Sequence, residues 1–250
     1  MNVVAAIFSF APALAIGSFL NVVAARLPER RSLVHPGSAC GSCETPIAWY
    51  DNVPILSYLL LRGRCRSCGA RISLRYPAVE LATALLVAGC FLRFGLSPEA
   101  FVASFFCIVL VVLSAIDAER YILPDRIVLP ATAIVLAAQL AIAPDRALEW
   151  IGASLACSLF LFLALLAYPR GMGMGDVKLA LLLGAMLGKS VAVAMMLGML
   201  TALVFGLGLM VARGSGARST RIPFGPFLAA GSVVALFWGP TILDRYLELF

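Results

Sequence analysis

The chain has 250 residues, 62% of them hydrophobic and only 13% charged, with a mean hydropathy of +1.00 and a net charge of +6. Soluble domains carry about 25% charged residues, so the composition excludes a soluble globular protein and predicts an all-α polytopic membrane protein. In such a chain a pI near 9.1 is an orientation signal rather than a nucleic-acid signal; the lipid bilayer is the expected partner, and nucleic acid is not.

At about 20 apolar residues per span, about eight transmembrane helices are predicted, near 3–25, 77–95, 99–117, 127–143, 149–168, 177–188, 190–212 and 224–243. This divides the chain into a first transmembrane helix (1–25), a polar loop (26–76) and a helical membrane domain (77–250). The first span lacks a basic leader and outruns the apolar core of a cleavable signal peptide, so it is expected to stay as a helix. Of the 19 Lys and Arg residues, only Arg93, Arg146, Lys189 and Arg245 fall opposite the polar loop. That bias predicts an N-terminus outside and a cytoplasmic loop. In the first helix Gly17, Ser18 and Asn21 share a face suited to close helix packing.

Within the loop, Cys40-Gly-Ser-Cys43 and Cys65-Arg-Ser-Cys68 form two C-x2-C pairs separated by 21 residues. Two such knuckles can present four thiolates tetrahedrally, as in a structural zinc site, with Gly41 and Gly69 expected to help the turns. Four cysteines fill the coordination sphere, so the metal would staple the loop and leave no position for a reactive water. The alternatives are paired disulfides, which a reducing cytoplasm disfavours, and four unrelated thiols; a metal is expected over either. Cys90, Cys107 and Cys157 lie within spans and read as small hydrophobes. The apolar run 55–61 is placed at the membrane surface with Arg62 and Arg64 towards lipid headgroups. His35 is the sole histidine, which leaves multi-histidine metal sites and serine–histidine triads without support. Glu80 reads as a charge near a helix N-terminus.

The third predicted span ends in Asp117, and the stretch Tyr168-Pro-Arg-Gly-Met-Gly-Met-Gly-Asp176 places three glycines at alternate positions before a second carboxylate. Ionisable groups at the edge of a span are costly and mark functional sites. Two predicted spans separate Asp117 from Asp176, so the chain returns both to one face. Asp125, after Pro124, reads as a helix N-cap. Two carboxylates held close resist joint ionisation and can share one proton, the condition for aspartyl-protease chemistry. The competing reading makes both of them helix caps, or partners of Arg120, Arg170 or Lys178. Spacing alone leaves the two readings level. A carboxylate-dependent membrane carrier would use the acids but not the cysteines. A non-enzymatic zinc-loop scaffold of a secretion assembly would use the cysteines but not the acids.

The ordered set Gly17-Ser-Phe-Leu-Asn21, the two cysteine pairs around Asp51-Asn-Val-Pro-Ile-Leu-Ser-Tyr58, Arg75-Tyr-Pro-Ala-Val-Glu80, Asp117 with Leu123-Pro-Asp125, Gly173-Met-Gly-Asp176 and Ile222-Pro-Phe-Gly-Pro226 resembles the type IV prepilin peptidases over nearly the whole chain. Cys40-Gly-Ser-Cys43 departs from the family's frequent proline after the first cysteine, with the ligands intact. The resemblance implies Asp117 and Asp176 as the catalytic pair and a bacterial inner-membrane location. It implies substrates that are pilin-like or pseudopilin precursors with a short basic leader, cut on the cytoplasmic side after a glycine. It further implies N-methylation of the new terminus with S-adenosylmethionine. No glycine-rich nucleotide fingerprint follows a strand, so no residue is assigned to that cofactor.

Overall fold

The computed structural model describes residues 2–169, 172–213 and 222–248. Arg170 and Gly171 of the glycine stretch, and Arg218 and Arg221 of the basic loop, lie outside the described residues. Among the described residues the chain is helical, with no sheet and only two isolated backbone bridges. The helices are α1 (Asn2–Arg26), α2 (Leu56–Leu60), α3 (Arg75–Phe94), α4 (Pro98–Arg120), α5 (Asp125–Ile142), α6 (Ala147–Ala167), α7 (Met174–Leu187), α8 (Val191–Arg213) and α9 (Gly225–Leu247). Seven helical stretches are long and apolar enough to cross a membrane, with α7 and α8 counted as one continuous stretch. Large apolar side chains point outward along them, as Leu155, Leu159, Phe160 and Leu163 do on α6. This is the surface of a multi-pass membrane protein.

The chain forms two compact units, Met1–Ala115 and Ile116–Phe250. In the first, α1 packs along α3, and Ala6, Ala13, Ala84, Val87, Phe91 and Ala100 make a small-residue core. A Cβ at Gly17 would stand 2.7 Å from the Glu80 Cα, so the two backbones touch there. One turn on, Asn21 Nδ2 donates to the Tyr76 carbonyl at 3.1 Å. Glu80 does more than place a charge near the start of α3. It is buried and accepts the Ile55 backbone N–H at 2.7 Å, tying the polar loop to α3.

In the second unit α7 sits among α5, α6 and α9. The helix has 14 residues, too few to span a bilayer alone, and Leu179, Ala180, Leu182, Leu183 and Ala185 are almost fully enclosed. A helix apolar on every face is one buried by other helices. Polar side chains hold it there: Ser154 Oγ donates to the Leu181 carbonyl at 2.7 Å, Ser158 Oγ to Val177 at 3.0 Å, and Gln139 Nε2 to Met186 at 3.2 Å.

Candidate active site and metal centre

The two cysteine knuckles are folded alike. Cys40 N–H donates to the Thr45 carbonyl and Glu44 N–H to the Cys40 carbonyl; Cys65 and Gly69 repeat the pattern with Ala70 and Cys65. A bridge closes each turn, Ala39 with Pro46 and Arg64 with Arg71. The left-handed position in each falls on Glu44 (φ 56°) and Gly69 (φ 70°). Gly69 therefore does what its sequence position suggests, whereas Glu44 rather than Gly41 carries the strained position of the first turn.

The four sulfurs of Cys40, Cys43, Cys65 and Cys68 lie within 4.8 Å of one another, with Cys40–Cys68 at 3.8 Å and Cys43–Cys65 at 4.0 Å. A tetrahedron of thiolates about 2.3 Å from zinc has edges of about 3.8 Å, so the cage fits such an ion. All seven cysteines are free thiols. The hydroxyl and backbone amide of Thr45 hold the Cys43 thiol down at about 6. Beside the cage Arg66 grips Asp51 with two bonds of 2.6 and 2.7 Å, and holds that carboxyl below its usual range.

The second unit assembles the carboxylates. Asp117 lies in the last turn of α4, and the chain then reverses through Tyr121 (φ 56°) and Leu123-Pro124 into α5. Asp176 is the third residue of α7. Its Oδ2 accepts the N–H of Gly173, the residue before the helix, at 3.1 Å, while its own N–H donates to the Gly173 carbonyl, the reciprocal pattern of a capped helix start. Gly175 lets Leu123 pack against this turn, since a Cβ there would stand 3.0 Å from the Leu123 Cβ. On the other side, the Gly225 N–H at the start of α9 donates to Asp117 Oδ2 at 2.9 Å. Asp117 and Asp176 are 6% and 8% exposed, and the charge of Asp117 acts on Asp176. Neither has an ion pair with another described residue.

Lys178 does not neutralise either of them. Its Nζ binds both oxygens of Asp125 at 2.7 and 2.8 Å. Asp125 is thus not the N-cap its sequence context suggests: α5 begins on it, Pro124 holds the cap position and no side chain caps the helix. Two contributors escaped the sequence reading, the Gly225 amide and the Asp125–Lys178 pair. The glycine between Pro223 and Pro226 is the only signal of the first, and the second joins residues 53 positions apart.

Comparison with known proteins follows the same division. The profile of the bacterial peptidase A24 N-terminal domain matches residues 12–94, and that of the type IV leader peptidase family matches residues 104–210. A Bacillus subtilis (strain 168) protein named prepilin leader peptidase/N-methyltransferase is 36% identical over 240 residues, covering 94% of this chain and 95% of the relative. The chain belongs to the type IV leader peptidase family. Relatives of the same name from Pseudomonas aeruginosa (37% identical, 94% and 91% covered) and Aeromonas hydrophila (37%, 95% and 92%) agree. No solved structure matches the chain. As a type IV leader peptidase the protein is a membrane-embedded peptidase, with both buried aspartates inside the peptidase profile and the four cysteines inside the N-terminal one.

Proposed function

We propose that Asp117 and Asp176 are the catalytic pair of a prepilin peptidase. The supporting observation is that the chain buries both carboxylates in one unit within electrostatic reach of each other, with a backbone N–H on Oδ2 of each and no described cation on either. Carboxylates that share one site resist joint ionisation, so the pair would hold a single proton. The ionised carboxylate takes a proton from water as the water oxygen bonds to the scissile carbonyl carbon, and the protonated one donates to the carbonyl oxygen. Collapse of that tetrahedral species breaks the C–N bond, with a carboxyl proton passing to the leaving nitrogen. The Gly173 and Gly225 amides fix the orientation of the two groups without supplying a competing charge. The caps that formed the rival reading are therefore compatible with catalysis.

The substrate is a type IV pilin-like or pseudopilin precursor, cut on the cytoplasmic side after a glycine that ends a short basic leader. The leader's charge suits an acidic pair near an anionic leaflet. The names of the relatives support N-methylation of the new terminus, for which S-adenosylmethionine supplies the methyl group. The loop's cavity of about 600 Å³ is lined by Arg62, Arg64 and Arg71 and does not suit that cationic donor, so no residue is assigned to it. Cys40, Cys43, Cys65 and Cys68 hold a structural zinc ion, and the topology is N-out with the loop in the cytoplasm.

The test is incubation of detergent-purified protein with a pilin-type precursor. Asp117→Asn and Asp176→Asn should each abolish cleavage while the protein keeps its helical content and its metal. Full activity in either variant overturns the assignment.

A further inference from the structure

Arg62, Arg64 and Arg71 are exposed and have no acidic partner among the described residues. Arg64 and Arg71 stand directly opposite each other on the bridge that closes the second cysteine knuckle. Like charges facing across a bridge destabilise it unless an anion joins them. All three arginines line the open cavity of about 600 Å³, which Tyr58 and Ser73 complete. Gly63 makes that shape possible. It sits at φ +66°, and a Cβ there would stand 2.7 Å from the Tyr58 hydroxyl. The Tyr58 ring can therefore lie over the turn and donate to the Ile72 carbonyl at 3.4 Å.

One lining residue, and two residues that follow Tyr58 in the chain, are exposed leucines. Leu59 and Leu60 on α2 and Leu74 are 65%, 73% and 73% exposed. Leu74 lines the cavity and immediately precedes α3, one of the helices long enough to cross a membrane. The basic pocket therefore lies at the end of a helix long enough to cross a membrane.

We propose that this cavity binds the phosphate of an anionic membrane lipid headgroup, with Leu59, Leu60 and Leu74 against its acyl region. Guanidinium forks match phosphate oxygens in pairs, and a lipid unites phosphate and hydrocarbon in one molecule. A basic leader peptide has the wrong sign for the pocket. The site anchors the cysteine loop to the leaflet and is independent of the aspartate pair.

The experiment measures lipid binding to the full-length protein in detergent by native mass spectrometry. Phosphatidylglycerol, phosphatidylcholine and inorganic phosphate serve as probes. The wild type should prefer phosphatidylglycerol over phosphatidylcholine by about tenfold or more. Arg62→Gln/Arg64→Gln/Arg71→Gln should erase that preference. A control triple of the same charge, Arg30→Gln/Arg31→Gln/Arg126→Gln, should keep it, and excess inorganic phosphate should not displace the lipid. Should the first triple unfold, Arg71→Gln alone, which breaks the facing pair, should still reduce the preference. Equal binding of the two lipids by the wild type overturns the proposal. So does an equal loss in the control triple, which would mean diffuse charge, or displacement by phosphate, which would mean a free-anion site. Undiminished preference in a folded variant overturns it as well. Precursor cleavage by the same samples reports on the aspartate pair separately.

Discussion

Lys178 and Asp125 form a two-pronged ion pair across the α5–α7 contact, two residues beyond Asp176 and eight beyond Asp117. With Leu123 packed on Gly175, it clamps the short segment between Asp117 and α5 to the start of α7. The pair is partly exposed, at 30% and 54% of the two side chains, so its direct contribution to stability is about 1 kcal/mol or less. Its consequence lies in geometry. Asp125→Asn and Lys178→Met should lower kcat for precursor cleavage by about tenfold or more, because small misplacements of reacting groups are costly, with KM little changed. The exchange Asp125→Lys/Lys178→Asp should recover part of the loss. Kinetics of the three variants check this, and wild-type kcat in either single variant would dismiss the clamp.

Gly225 is positioned so that a Cβ would come within 2.9 Å of Asp117 Oδ2 and 3.3 Å of its Cγ. Gly225→Ala must therefore push the carboxylate aside or break the 2.9 Å bond from the backbone amide. Cleavage should fall by about a hundredfold, the cost associated with a displacement of about 1 Å, while thermal stability in detergent changes little. A variant with normal turnover would show that the amide does not orient Asp117.

Metal retention should depend on pH with a definite sign. Metal binds thiolates, so protons compete. Cys43, lowered by Thr45 to about 6, is already ionised near neutrality. Cys68 receives a hydrogen bond from the Ala70 amide but is pushed up to about 11 by the neighbouring Cys43 thiol, and must lose a proton on binding. Affinity should rise by at least tenfold per pH unit between about pH 6 and 8, and fall more steeply below about pH 6 as Cys43 also takes up a proton. Competition with a chelator across that range measures it. Thr45→Val should shift the steep limb to higher pH.

Glu80 ties the loop to α3 through the Ile55 N–H, which it accepts at 2.7 Å. Glu80→Leu leaves that donor without its partner, a change worth about 1–3 kcal/mol. Limited proteolysis of the purified protein should then cut near residues 50–60 faster than in the wild type, with the transmembrane helices intact. Unchanged loop protection would make Glu80 dispensable as a tether.

Charge density and apolar run lengths determined by themselves that this is a helical membrane protein, because bilayer thickness converts directly into residues per span. The paired C-x2-C spacing likewise announced a thiolate cage, since each knuckle is a local turn that needs no distant partner. Asp117 and Asp176 stood out because a carboxylate at the edge of a span is expensive. Their surroundings were not legible. Asp125 reads as a cap in one dimension and is a lysine partner in three, and Glu80 reads as a charge near a helix start and is buried against the loop. The Gly225 amide reaches Asp117 from 108 positions away. Only helix packing could decide these, because which amide or cation satisfies a buried carboxylate depends on which helices meet, and sequence spacing does not record that.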